Sequence, residues 1–423
     1  MAEQAVNGEP DVVIVGGGAI GVASAHYLAL RGAYVVVLEA GRKLGGEASY
    51  GNACLVSPSH CIPLAAPGLL RRIPGFMRPG GAVYVRPRLS PGLARFCFEL
   101  ARSCGRERML RGVRALRDLS RSSRDLVEEL SRDGLELGYQ RAGLMNVCRS
   151  QGALEDLLRD VGLLQAEGFE PEVLDSAGAR AREPLLREDI AGAVFWGEDG
   201  HCDPSRLVAG LHGAAERAGA RFELQTRVTG LERGADGAIS AVRTASGVYR
   251  PRTVVLAAGA ATPQLARMLG AKLPVEPGKG YHVQVPTGSA SLRMPLIFQE
   301  SVFAATPLGS RLRLAGTMEF VGWDLRPHRE RALRLLEEAR GYLHGLDRRD
   351  DEVETWFGMR PCTPDTLPVI GLSGKTPGLI YATGHGMLGI TLAAATGLGV
   401  AQLALDRRSS LDLEPFSARR YRL

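Results

Sequence analysis

The chain runs to 423 residues, 45% hydrophobic and 23% charged, with a formal charge of +6. That length carries two domains or one large discontinuous one, each with its own core, and the composition is ordinary for a globular protein. The positive charge is nearly all arginine, with lysine only at Lys43, Lys272, Lys279 and Lys375, and no basic run interleaves with aromatics, which excludes a nucleic-acid partner.

The seven cysteines are scattered and form no C-x-x-C pair. This spacing argues against a metal site or a disulfide framework, and fits free buried thiols in a reducing cytoplasm. No basic segment precedes the first apolar strand, so no signal peptide is expected.

In chain order, Asp11–Val15 (D-V-V-I-V) predicts a buried parallel strand, and Gly16 to Gly21 (G-G-G-A-I-G) satisfies G-x-G-x-x-G. A helix over Val22–Arg31 and a second strand over Tyr34–Leu38, ending at Glu39, complete the unit. Gly16 permits a tight turn, Gly18 a close approach of pyrophosphate, and Gly21 close packing of helix on strand. Glu39 is placed to accept from a ribose hydroxyl, which disfavours a 2′-phosphate and leaves FAD or NAD.

Pro63–Pro91 reads as a long excursion from the nucleotide fold, and Leu93–Leu130 as a single amphipathic helix. Arg111, Arg114, Arg117 and Arg121 lie on its polar side. They read as a solvated face, with peripheral contact to anionic lipid at the inner face of the membrane as the second reading. Asp203-Pro204 starts a helix running toward Ala218, Ala220–Leu224 opens a strand, and Thr226–Leu231 with Ile239–Thr244 makes a hairpin. Thr253–Ala260 is a buried strand ending in small residues; Tyr281–Val285 and Leu312–Ala315 are strands, and Glu330–Leu343 is a helix. Gly386–Leu405 carries no charge, yet its glycine-punctuated opening favours a buried helix over a membrane span.

Trp356–Thr391 sets an arginine on a proline-braced turn shortly before that glycine-rich entry. A site that holds a carboxylate against a planar cofactor needs both parts.

Several motifs now stand together: G-G-G-A-I-G with Glu39, the loop S-Y-G-N-A, the strand end A-A-G-A, K-G-Y-H, G-M-R-P-C-T-P-D and T-G-H-G-M-L-G-I-T. In this order, from Asp11 to about Leu405, the chain resembles the D-amino-acid oxidase-like superfamily of FAD enzymes, most closely the bacterial D-amino-acid dehydrogenases. The resemblance selects FAD over NAD. It implies an α/β fold, a Rossmann-like FAD-binding domain interleaved with an α+β substrate domain built on an antiparallel sheet. The FAD-binding domain is expected over 11–62, 196–270 and 352–410, and the substrate domain over 63–195 and 271–351.

Carried over by position, Gly16, Gly18, Ala19, Ile20, Gly21, Glu39 and Ala40 hold the pyrophosphate and adenosine, and Arg42 flanks the ribose. Ser49, Asn52 and Ala53 line the flavin's approach, Val228 contacts adenine through its backbone, and Ala258 and Gly259 line the cofactor. Gly386, Leu388, Gly389, Ile390 and Thr391 meet the flavin's pyrimidine edge, where a helix opening near Gly389 would stabilise negative charge.

Arg360 is the candidate for gripping an α-carboxylate through two parallel hydrogen bonds; its alternative is a structural ion pair, for instance with Asp365. Tyr281 and His60 are secondary candidates for the amine or side chain. The reaction implied is hydride transfer from a D-amino acid to flavin, giving an imine and then a 2-oxo acid. The loop P-S-H-C-I-P-L is closer to enzymes of D-hydroxyproline, so a cyclic D-imino acid is an alternative substrate, and a glycine/sarcosine-type amine oxidase a further one. A quinone or another respiratory carrier is the implied electron acceptor. Cys54 stands where glycine is common.

Overall fold

In a computed structural model describing residues 8–69, 75, 77, 80–287, 291–346 and 352–423, Val12–Val15 forms strand β1, its four β-branched residues all buried. Helix Ala19–Leu30 follows, then β2 (Val35–Leu38). Gly16 turns at φ +110°, and a side chain there would lie 2.6 Å from the Ala257 carbonyl. A Cβ on Gly21 would fall 1.9 Å from the Gly16 carbonyl, so only glycine lets the helix lie this close to the strand end.

These strands belong to a six-stranded sheet ordered β19 (Val369–Leu372), β20 (Leu379–Thr383), β13 (Thr253–Leu256), β1, β2, β9 (Arg221–Glu223). All neighbours pair parallel except β19 and β20. Helix Ala19–Leu30 is apolar on nearly every side because it lies under helices Pro204–Arg217 and Ala393–Asp406. At the second crossing a Cβ on Gly397 would stand 2.6 Å from the Ala23 backbone.

The second large sheet has nine strands, in the order β18 (Glu354–Cys362), β14 (Glu276–Pro286), β17 (Arg311–Phe320), β16 (Phe303–Leu308), β15 (Leu296–Phe298), β5 (Leu144–Cys148), β7 (Gly192–Trp196), β6 (Pro171–Asp175), with β4 (Val83–Val85) beside β17. It is mixed: β15 with β5 and β17 with β4 run parallel, and the rest antiparallel. Two small sheets remain, β3 (Leu55–Val56) with β8 (Gly200–His201), and β10 (Val228–Arg233), β11 (Ile239–Thr244), β12 (Val248–Tyr249).

Several expectations shift. The single helix over Leu93–Leu130 is two, Pro91–Ser103 capped by Ser90 and Arg106–Arg132, broken at Cys104-Gly105. Its arginine row is engaged in ion pairs: Arg114 and Arg117 with Glu167, Arg121 with Glu198, which Arg124 also meets, and Arg111 with Glu107. Residues 354–362 pair with β14 in the nine-stranded sheet, so the chain leaves that sheet after Cys362 and not at 352. Helix Glu330–Leu343 is Arg329–Arg340. Within Gly386–Leu405 the regular helix begins only at Ala393, and among the described residues no helix is long and apolar enough to cross a membrane. Part of Pro63–Pro91 lies outside the described residues.

Candidate active site

At the end of β1 the helix Ala19–Leu30 opens on Gly18, with no side-chain cap. Ala19 N–H donates to Ser49 Oγ (3.0 Å), so Ser49 stands at the helix N-terminus. The one atom near a would-be Gly18 Cβ is the same Ser49 Oγ, at 3.3 Å, which leaves the glycine face open beside the N–H groups. Glu39 accepts from Gly17 N–H (2.7 Å) and Gly41 N–H (2.6 Å), bending the chain after β2 back over the glycine turn. Thr226 N–H donates to the Glu39 carbonyl (2.8 Å) and Gln225 N–H to that of Gly41 (2.9 Å), which brings Val228 to this corner. Gly16 meets Ala257 and Ala258, bringing Gly259 alongside. Ala40 and Arg42 are exposed at the rim, and Ile20, half-buried, packs against the core.

A second group of residues joins the 49–60 loop to the C-terminal turn. Asn52 Nδ2 donates to the Met387 carbonyl (3.1 Å), while Thr391 Oγ1 donates to the Leu55 carbonyl (2.9 Å). Thr391 thus spends its hydroxyl on β3. Gly386 N–H donates to the Pro361 carbonyl (2.9 Å), and Cys362 and His385 form an isolated bridge. The end of the Arg360 strand is thereby tied to the turn at Gly386–Leu388. Burial lowers the His385 imidazole to about 3, so the ring is neutral where it meets Thr396 Oγ1 at 3.0 Å. Because Leu388–Leu392 closes a turn first, the positive end of the helix lies at Ala393 and not at Gly389.

Arg313, buried on β17, donates to the carbonyls of Tyr50 (2.6 Å) and Asn52 (3.0 Å) and to Gln284 Oε1 (3.2 Å). It also touches Cys54 Sγ at 3.3 Å. Cys54 sits at φ +70°, the left-handed region, which explains glycine as the common residue there. Thr306 Oγ1 donates to the Ala53 carbonyl (2.7 Å) and completes the fastening of the loop.

Arg360 extends from β18 across β14. A Cβ on Gly280 would lie 1.9 Å from Arg360 Nη1, so the guanidinium rests flat on a glycine. Among the described residues its donors meet the carbonyls of Thr317 (2.5 Å) and Gly316 (3.4 Å). Among the described residues it has no carboxylate partner; Asp365, the alternative, is taken by Arg420 at 2.8 Å. Desolvation pulls the Arg360 pKa below its ordinary value, as befits a cation enclosed without a counter-ion.

Tyr281 is a correction. The pleat sends it to the reverse face of the sheet, where its hydroxyl donates to Glu319 (2.9 Å) beneath Arg331. The neighbour of Tyr281 that lies on Arg360's face is His282, stacked on Trp356 at 5.2 Å. Gly280, His282, Trp356 and Arg313 went without a role in the sequence reading. Alternation along K-G-Y-H marks 280 and 282 as one face, but which face depends on register with β18. His60 keeps an accessible ring on the turn after Ser57 and Ser59, both bonded to buried Asp199, and no described contact joins it to Arg360.

The glycine turn and Glu39 form one corner, and the bridge from the Arg360 strand to Gly386 meets the 49–60 loop that begins beside it. Residues 11–403 match the family described as FAD dependent oxidoreductase (DAO). The chain belongs to that family. It is 34% identical to the D-amino acid dehydrogenase of Cereibacter sphaeroides strain ATCC 17029, covering 97% of this chain and 95% of that protein. It is also 34% identical to the D-amino acid dehydrogenase of Methylobacterium sp. strain 4-46, over 97% and 99%. Among solved structures it is similar to glycine oxidase from Geobacillus kaustophilus, with a TM-score of 0.75, 27% identity, and 96% and 98% of the two chains covered.

The cofactor of this FAD-dependent oxidoreductase is FAD, and the residues fit it. Gly18, a helix N-cap with no side chain of its own, suits the approach of a pyrophosphate, and the Glu39 carboxylate suits a ribose hydroxyl.

Proposed function

We propose that this FAD-dependent oxidoreductase dehydrogenates D-amino acids, converting the α-carbon and its amine to an imine that hydrolyses to a 2-oxo acid. The observation that carries the reading is Arg360, a largely enclosed guanidinium with no acidic partner among the described residues, tied through Cys362 and Gly386 to the turn that follows β20. A planar fork of this kind binds a substrate carboxylate through two hydrogen bonds and fixes the α-carbon. The dehydrogenases that the chain resembles support the substrate class.

Bound FAD supplies the two-electron acceptor for the α-hydride. The protein's part is orientation: Arg360 holds the carboxylate, and the glycines at 280 and 358 make room on the sheet face for its guanidinium and for the Trp356 ring. The amine must be neutral for its lone pair to form the C=N bond, so the ammonium gives up its proton to solvent on binding. Electrons then pass to a quinone or another respiratory carrier. The test is anaerobic: D-alanine bleaches the flavin absorbance and L-alanine does not, and a quinone restores it faster than air. Bleaching by glycine or sarcosine alone would assign the chain to secondary-amine and glycine oxidation instead.

A further inference from the structure

The register of β14 against β18 arranges Arg360's face in layers. Gly278 pairs with Arg360, Gly280 with Gly358, His282 with Trp356, and Gln284 with Glu354. Successive layers on one face are about 6.8 Å apart, two residues of strand rise. The second layer is two glycines facing each other, with no side chain of its own. Arg360's guanidinium leans over it from one side. From the other comes the indole of Trp356, 2.0 Å from where a Gly358 Cβ would be and 1.6 Å from a Gly51 Cβ. All three glycines are therefore required by the two side chains that converge above them. Ala48, Asn52 and Gly386 close the same recess.

The indole is braced. The His282 ring stacks on it at 5.2 Å with a 14° interplanar angle, and Tyr50 meets it edge-on at 6.1 Å. Burial, with Arg313 adding to it, lowers the His282 imidazole to about 3, so the stack carries no charge at neutral pH. Glu354, the next group outward, is occupied by Tyr50 Oη (2.7 Å) and Gln284 Nε2 (2.9 Å). Two guanidinium groups without a described carboxylate partner, Arg313 and Arg360, stand on this face.

We propose that Trp356 forms the wall of the substrate side-chain subsite and selects D-amino acids with compact, uncharged, apolar side chains, cyclic imino acids included. This rests on the D-amino-acid reading and on Arg360 as the carboxylate anchor. With the carboxylate on Arg360, the α-carbon stands in the recess between the guanidinium and the indole, and its substituent meets the Trp356 ring. A compact pyrrolidine ring lies against that ring, and a long side chain runs into it. A cationic side chain is repelled by the two arginines and finds Glu354 already bonded.

The test is anaerobic flavin reduction of the purified holoenzyme with D-proline, D-alanine, D-phenylalanine and D-arginine, for wild type, Trp356→Ala and Trp356→Phe. Wild type is expected to favour D-proline and D-alanine and to react least with D-arginine. Trp356→Ala lowers the rate-to-affinity ratio for D-proline by roughly tenfold or more and raises that for D-phenylalanine. Should the alanine variant lose its flavin, Trp356→Phe decides alone: it keeps D-proline and gains D-phenylalanine relative to wild type. An equal fall for all four substrates, or a wild type that prefers D-arginine, overturns the subsite while leaving the D-amino-acid reading intact. Reduction by none of the four overturns both.

Discussion

Replacing Gly280 by alanine places a methyl carbon 1.9 Å from Arg360 Nη1, 2.2 Å from Cζ and 2.5 Å from Nη2. No backbone atom is among those near contacts, so relief comes from swinging the far end of one flexible side chain. Gly280 has ordinary strand geometry, and alanine there gains up to about 1 kcal/mol in backbone terms. Stability should therefore change by no more than about 1 kcal/mol, whereas the guanidinium leaves its place. Losing a charge-assisted bidentate contact costs roughly 1.5–3 kcal/mol. That corresponds to a fall in kcat/KM for the D-amino acid of about 10- to 150-fold, chiefly through KM. The assay is anaerobic flavin reduction with steady-state kinetics, alongside a melting curve and the flavin absorbance. An unchanged KM with flavin bound would refute Arg360 as the anchor. A large fall in melting temperature would instead mean that Gly280 serves the sheet and not the site.

Arg360→Lys keeps the charge but loses the planar fork, so KM should rise on the order of tenfold with FAD content unchanged; equal KM values would remove the bidentate argument. Asp199, held by Ser57 and Ser59, is raised to about 6 by burial. A carboxyl whose folded pKa lies above its unfolded one binds more protons when folded, so its contribution to stability is lost as pH rises from about 4 through 6, by up to about 3 kcal/mol. His201, His282 and His385 act oppositely: burial holds them at about 4, 3 and 3, and their neutral burial destabilises the fold as pH falls below the ordinary imidazole value near 6.5. Urea melts of wild type and Asp199→Asn between pH 4 and 8 separate the two, since only the Asp199 contribution disappears in the variant; parallel curves would show that Asp199 does not titrate there. Gly397→Ala drives a methyl into the Ala23 backbone and should destabilise by about 1–3 kcal/mol without changing substrate preference, as read from melts and kinetics.

The amino-acid sequence by itself determined what depends on neighbours in the chain. Four β-branched residues before Gly16 make a buried strand whatever surrounds them, and Gly16, Gly21 and Glu39 carry their roles in their own backbone freedom and charge. The N-cap at Asp203 and the hairpin around Asp236-Gly237 are legible for the same reason. Arg360 stood out as a guanidinium beside Pro361, but it lies on strand β18 and not on a turn, and its freedom from Asp365 was not legible because that acid is claimed by Arg420, 55 residues further along. Only the tertiary structure decided which side of β14 faces the site. Alternation separates Tyr281 from His282 in any register, yet pairing with β18 alone sets His282 and two bare glycines beside Arg360 and buries Tyr281 against Glu319. A strand's period is local, whereas its face is chosen by what it packs against.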